Sequence, residues 1–234
     1  MMSTVRTFAS PIARAAFRPQ LVGTSANTRA FATSRIFRAP ALTEAITSDH
    51  RELEKCYKII TESKNIEDQT RYGNQFIWEL ARHSVAEELI VYPAMEKYMG
   101  EQGKTHAEKD RKHHHTLKEL LKTFQNMSAQ DSGYVPQLKK LYEHLENHIK
   151  EEEKDDLPAL EKALTSEENR GSSESLAKSF SRTKMFVPSR SHPAAGENPY
   201  VEGPAGLPVA VFDHIADLFR KFPEGTISPN PSQK

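Results

Sequence analysis

Four histidines and two glutamates in this chain are spaced to suit a metal centre. His83 is followed by Glu87, and His148 by Glu152, each pair four residues apart. On a helix such a pair differs by about 40° in azimuth and about one turn in height, so both side chains can aim at one point. His50 and His114 stand on separate segments, each with a leucine three residues on, in His50-Arg-Glu-Leu53 and His114-His-Thr-Leu117. Ten residues after His83 and His148 come Pro93 and Pro158, opening Pro93-Ala-Met-Glu-Lys97 and Pro158-Ala-Leu-Glu-Lys162. The segment thus reads as two copies of one unit, a helix bearing one histidine followed by a helix bearing His-x-x-x-Glu. Packed antiparallel, the two copies bring both sets to a similar depth.

Imidazole and carboxylate donors together suit iron, manganese or zinc better than copper(I) or calcium. Six inward donors (His50, His83, Glu87, His114, His148 and Glu152) can hold two ions if the glutamates bridge them, which also offsets the repulsion between two dications. A single histidine on an apolar face is more often a hydrogen-bonded core residue. Four of them with two i+4 glutamates in a repeated frame point to metal, and a metal explains why acids can face a core at all. Leu53, Leu80, Leu117 and Leu145 lie one turn away and are expected to form a dry wall. Glu88 and Glu153 point about 140° from His83 and His148 at about 100° per residue, and read as solvated or outer groups. Of His113, His114 and His115 only one can face the core squarely, and the match to His50 selects His114. His144 is a candidate extra ligand. His106 reads as exposed, and Glu146, Glu151, Lys154, Asp155 and Asp156 as a solvated face. Tyr57 or Tyr142 could supply a proton, though each suits a packing role.

The elements that must carry these residues are helices. His50, Leu53, Tyr57 and Ile60 share one face, as do Phe76, Leu80, His83, Glu87 and Ile90. Gly100 and Gly103 are expected to end the second helix, and Thr105 with Glu108 to cap the third, which carries His114, Leu117, Leu121 and Phe124. After Ser132, Gly133 and Pro136, a fourth helix carries Leu138, Leu141, Leu145, His148 and Glu152. Four amphipathic helices with short loops over residues 42–164 predict an all-α, up-down-up-down four-helix bundle.

These residues resemble the hemerythrin-like, or HHE cation-binding, family, through His50, His83-x-x-x-Glu87, His114 and His148-x-x-x-Glu152. The resemblance spans roughly half the chain and implies a non-haem di-iron centre, two iron ions, in a four-helix bundle. Such centres bind dioxygen or nitric oxide, sense oxygen or iron, or protect against oxidative damage. Oxygen-carrying members use a fifth histidine from a His-x-x-x-His on the third helix. Here the residues four before and four after His114 are Asp110 and Lys118, so simple oxygen storage is disfavoured. The family resemblance implies a metal- and ligand-binding protein more than an enzyme. A di-iron oxidase or peroxide-handling enzyme, and a scaffold with a structural metal, are the alternatives. The ferritin Glu-x-x-His and the peptidase His-Glu-x-x-His are both absent.

Of the 234 residues, 37% are apolar, so part of the chain lies outside any packed core. Residues 1–43 carry six arginines, no lysine and no acid, the composition of a mitochondrial presequence. Residues 1–40 are therefore expected to be disordered and to address the protein to the mitochondrial matrix, with a cytoplasmic location as the alternative. The remaining body has a formal charge of −6, which argues against nucleic acid as a partner. No apolar run is long enough to cross a membrane as a helix. The lone cysteine, Cys56, reads as a packing residue. Residues 165–234 form a Pro-rich extension with a short helix possible through Leu176, Ala177 and Phe180. It ends in a short amphipathic helix bearing Val209, Phe212, Ile215, Ala216 and Phe219. That helix is expected to dock on the bundle, with a protein partner or a membrane surface as the sharper alternative.

Overall fold

The structure, a computed structural model, describes residues 41–193 and 210–225, so the N-terminal segment and Val209 lie outside it. Among the described residues every regular element is helical. Four antiparallel rods form the bundle: α1 (Ala41–Glu62); α2 (Ile66–Ala86) running into α3 (Tyr92–Met99); α4 (Glu101–Gln125); and α5 (Tyr134–Glu151) running into α6 (Leu157–Leu164). α1 packs on α2, α4 on α3 and α5, and α5 closes against α1. In α1 the buried stripe is Leu42, Ile46, His50, Leu53, Cys56 and Ile60, a 4-4-3-3-4 spacing that keeps one face inward. Asn65 opens α2 by accepting the Glu67 N–H at 2.9 Å.

The two long rods share a feature that periodicity did not foretell. Between α2 and α3, and between α5 and α6, the helix widens to π geometry over Glu87–Val91 and Glu152–Asp156. The Tyr92 N–H donates to the Glu87 carbonyl and the Leu157 N–H to that of Glu152, five residues back in each case. The next residues, Pro93 and Pro158, explain it. Proline has no N–H, and its ring collides with the i−4 carbonyl of a regular α-helix, so widening the turn relieves the clash. Glu88 and Asp156 are buried within these widened turns, whereas Glu153, the counterpart of Glu88, stays 28% exposed.

One helix boundary differs from expectation. The third rod opens at Glu101, and Thr105 sits inside it, its hydroxyl donating to the Glu101 carbonyl at 3.0 Å. Gly100 alone makes the turn, with φ 62°, a left-handed value that favours glycine. Gly103 serves the crossing of α3 over α4: a Cβ there would lie 2.0 Å from the Met95 carbonyl oxygen.

The core has two apolar clusters. One holds Leu53, Cys56, Ile60, Phe76, Leu80, Leu117, Phe124, Leu141 and Leu145; the other holds Leu42, Ile46, Val91, Tyr92, Met95, Ala107, Leu157 and Leu160. Cys56 is fully buried, which pushes its thiol well up and leaves it inert.

The extension adds α7 (Ser172–Thr183), which lies on α1 and inserts Phe180 into the second cluster. The chain then runs along the bundle, where Ser191 exchanges hydrogen bonds with Gln125 at 2.8 and 3.1 Å. Residues 210–217 form the expected helix, docked by the opposite face from the one anticipated. Asp213 accepts the Arg190 N–H, Asp217 pairs with Ser189 and Arg190, and Phe212, Ile215 and Phe219 face outward. The polar groups of residues 189–192 claim the acidic side of this helix, so its apolar side is left in solvent.

Candidate metal centre

A single polar layer separates the two apolar clusters. On α1, His50 lies between Ile46 and Leu53; on α2, His83 lies between Leu80 and Ala86. On α4, His114 lies between Ala107 and Leu117; on α5, His148 lies between Leu145 and Ile149. All four are at most 1% exposed, as are Glu87 and Glu152, and the leucines flanking the layer are buried too.

The structure brings these six side chains into two adjoining groups. His50, His83, Glu87 and Glu152 form one, and Glu87, His114 and His148 the other. Glu87 belongs to both: one oxygen is 3.2 Å from His83 Nε2 and the other 3.2 Å from His114 Nε2. Glu152 lies 3.3 Å from His50 Nε2 and sits with the first group. His114 and His148 face each other through their Nε2 atoms at 3.1 Å.

Three of the histidines are held from behind by a carboxylate on Nδ1. Glu153 is 2.8 Å from His50, Asp49 is 3.2 Å from His83, and Glu88 is 3.0 Å from His114. A proton held at Nδ1 leaves the Nε2 lone pair aimed into the layer, the arrangement by which outer carboxylates orient metal-binding imidazoles. Glu88, anticipated as solvated or outer, is fully buried, and Lys118 donates to it at 2.7 Å. The missed signal was the proline pair, which widens both rods. For the same reason Asp156 is buried and paired with His106, where both had been read as surface groups. His144 and His115 are exposed.

The extension also reaches the layer. Lys184 pairs with Asp49, and the Phe180 ring stands edge-on to the His83 ring at 5.9 Å between centroids. Tyr57 and Tyr142 stack on each other at 3.7 Å and belong to the packing of the first cluster. The tyrosine at the layer is Tyr92, fully buried, with its hydroxyl 2.9 Å from His114 Nε2. Burial holds that phenol well above its ordinary range, so it stays protonated.

The electrostatics suit a cation. Burial and the neighbouring Glu152 push the Glu87 carboxyl well up. Burial pushes His83, His114 and His148 down, favouring the neutral ring that a metal needs. His50 is the exception: burial lowers it, but Glu152 and Glu153 outweigh this and hold it at about 9. Neither oxygen of Glu87 or Glu152, nor the Nε2 of His50 or His83, has a hydrogen-bond partner among the described residues. Unpartnered buried carboxylates are costly. A bound metal cation would meet that deficit, so the donor set fits the cation that such a layer implies.

The comparisons agree with this geometry. Residues 41–160 match the model of the hemerythrin HHE cation-binding domain. A hemerythrin-like protein of the fission yeast Schizosaccharomyces pombe is 48% identical over 187 residues, covering 80% of this chain and 90% of that one. That alignment is longer than the domain, so the likeness extends beyond the four rods. No solved structure gives a significant match. The domain match over half of the chain and the 48% identical relative show that the chain belongs to the hemerythrin HHE cation-binding family.

Proposed function

We propose that the protein is a non-haem di-iron protein that binds or senses dioxygen, nitric oxide or iron itself through the buried layer. The observation that carries this reading is Glu87, whose two oxygens each reach a different histidine group while making no other hydrogen bond. His50, His83, Glu87, His114, His148 and Glu152 would hold the two ions, Glu87 being the residue common to both groups. When bound, the iron pair supplies one-electron redox change and an open position for a small ligand. The chain supplies the rest. Asp49, Glu88 and Glu153 keep the imidazole lone pairs inward, and Leu53, Leu80, Leu117 and Leu145 keep bulk water out. Tyr92 offers a hydroxyl proton beside His114 Nε2.

Tyr92 also favours a second reading, an oxidase or peroxide-handling enzyme, because such chemistry needs a proton donor at the reacting position. Metal analysis of the purified protein, with absorption spectra after anaerobic reduction and again after oxygen, separates these readings. A reversible charge-transfer band supports binding or sensing, and turnover with a reductant supports the enzyme. Zinc or manganese in place of iron, with no spectral response, refutes both and leaves a structural metal. The acid-free, arginine-rich N-terminal segment supports a mitochondrial address. Mature protein beginning at Met1 would refute that address.

A further inference from the structure

One atom of the layer is not held from behind. His148 turns Nε2 inward and leaves Nδ1 with no hydrogen-bond partner among the described residues. Facing it is Asp110, fully buried, with Oδ1 4.0 Å from that Nδ1 and neither oxygen hydrogen-bonded. The third group is His113, whose ring meets that of His148 edge-on at 5.9 Å and whose Nδ1 also lacks a hydrogen-bond partner. One donor atom from each of Asp110, His113 and His148 lies within 4.8 Å of the others. Beyond them opens a cleft of about 370 Å³ whose lining includes His113, His144, His148 and Glu151, with Lys150 as its one ammonium.

The spacing here differs in kind from that at the other three histidines. A separation of 4.0 Å is too long for a hydrogen bond. Bonds of about 2.1 Å to a tetrahedral ion place neighbouring donors about 3.4 Å apart, so Asp110 and His148 need approach by only about half an ångström to share one. Two imidazoles and a carboxylate suit a first-row divalent ion.

We propose that Asp110, His113 and His148 Nδ1 form an outer cation site that takes a divalent first-row metal ion from solvent and passes it to the buried layer. This rests on the two-ion reading above. A neutral imidazole has one lone pair, so His148 serves one side at a time. With the ion inward, Nδ1 carries the ring proton and faces Asp110. The cleft is lined by His113 and His148 of this site, with Asp110 buried behind them, whereas none of the histidines of the first group lines it.

The test is stopped-flow uptake of cobalt(II) by the full, metal-free chain without oxygen. Wild type should show a fast phase and a slower one that fills the layer. His113→Ala changes a partly exposed side chain, so folding is retained; it should lose the fast phase and slow filling at least tenfold, with the final cobalt content unchanged. Asp110→Asn should do the same. Filling of His113→Ala at the wild-type rate overturns the proposal, and Asp110 is then only a group that orients His148. His83→Ala should keep the fast phase and lose tight retention. Full retention by His83→Ala sinks the two-ion reading, while the fast phase still judges the outer site.

Discussion

Replacing Glu88 with glutamine separates two roles that one buried carboxylate plays. Its Oε1 holds His114 Nδ1 at 3.0 Å and its Oε2 accepts from Lys118 at 2.7 Å, with Glu88 fully buried. Glu88→Gln deprives a buried ammonium of this partner, and breaking such a pair from one side costs about 3–5 kcal/mol. It also loosens the imidazole, and loss of an outer group of this kind typically lowers metal affinity about 10- to 100-fold, or about 1.4–2.7 kcal/mol. Adding Lys118→Met should recover most of the stability, since no unbalanced charge remains, and none of the affinity. Urea unfolding of the metal-free protein reads the first quantity, and iron(II) titration reads the second. Glu153→Gln serves as a graded control. Glu153 is 28% exposed, so its effect on both quantities should be smaller. Wild-type affinity in Glu88→Gln, or recovery of affinity by Lys118→Met, would refute the assignment of Glu88 as the group that orients His114.

Phe180→Ala should destabilise the protein by about 3–5 kcal/mol and raise the rate of metal loss, because the ring is buried against His83; an unchanged chelator-driven release rate would show that α7 plays no part in closing the layer. Gly103→Ala should lower the unfolding midpoint, because its Cβ meets backbone rather than a yielding side chain; circular dichroism melts check it. In the metal-free protein Glu152 and Glu153 hold His50 at about 9, above its ordinary value of 6.5. A raised value means that the stability from this pairing is full below about 6.5 and is lost as pH rises through 9. A metal must displace the same proton, so apparent iron affinity should climb from pH 6.5 towards 9, and a flat profile across titrations would contradict it. His83→Ala should abolish metal retention after gel filtration while keeping the helical circular dichroism; intact metal content would remove His83 from the centre.

The bundle was legible because two signals agreed over the same stretch: a 3.6-residue apolar period and a repeat that places each histidine in the inward stripe beside a leucine. The convergence of His50, His83, Glu87, His114, His148 and Glu152 follows from that stripe, since residues on the buried faces of four antiparallel rods have nowhere to point but the centre. Three things lay beyond local pattern. Uniform periodicity left Glu88 as a solvated or outer group and put Asp156 in solvent; the structure makes Glu88 the outer group on His114 and buries both in the π turns ahead of Pro93 and Pro158. The pairing of His83 with Asp49, and of Asp49 with Lys184 more than a hundred residues away, depends on where α7 comes to rest. The helix at 210–217 could be read as amphipathic, but which face it buries was decided by Ser189, Arg190 and His192, polar groups on another segment that only the tertiary structure sets against Asp213 and Asp217. A sequence states which side chains a helix can offer on one side; which side is taken depends on the hydrogen-bonding and apolar groups that the rest of the chain brings to it.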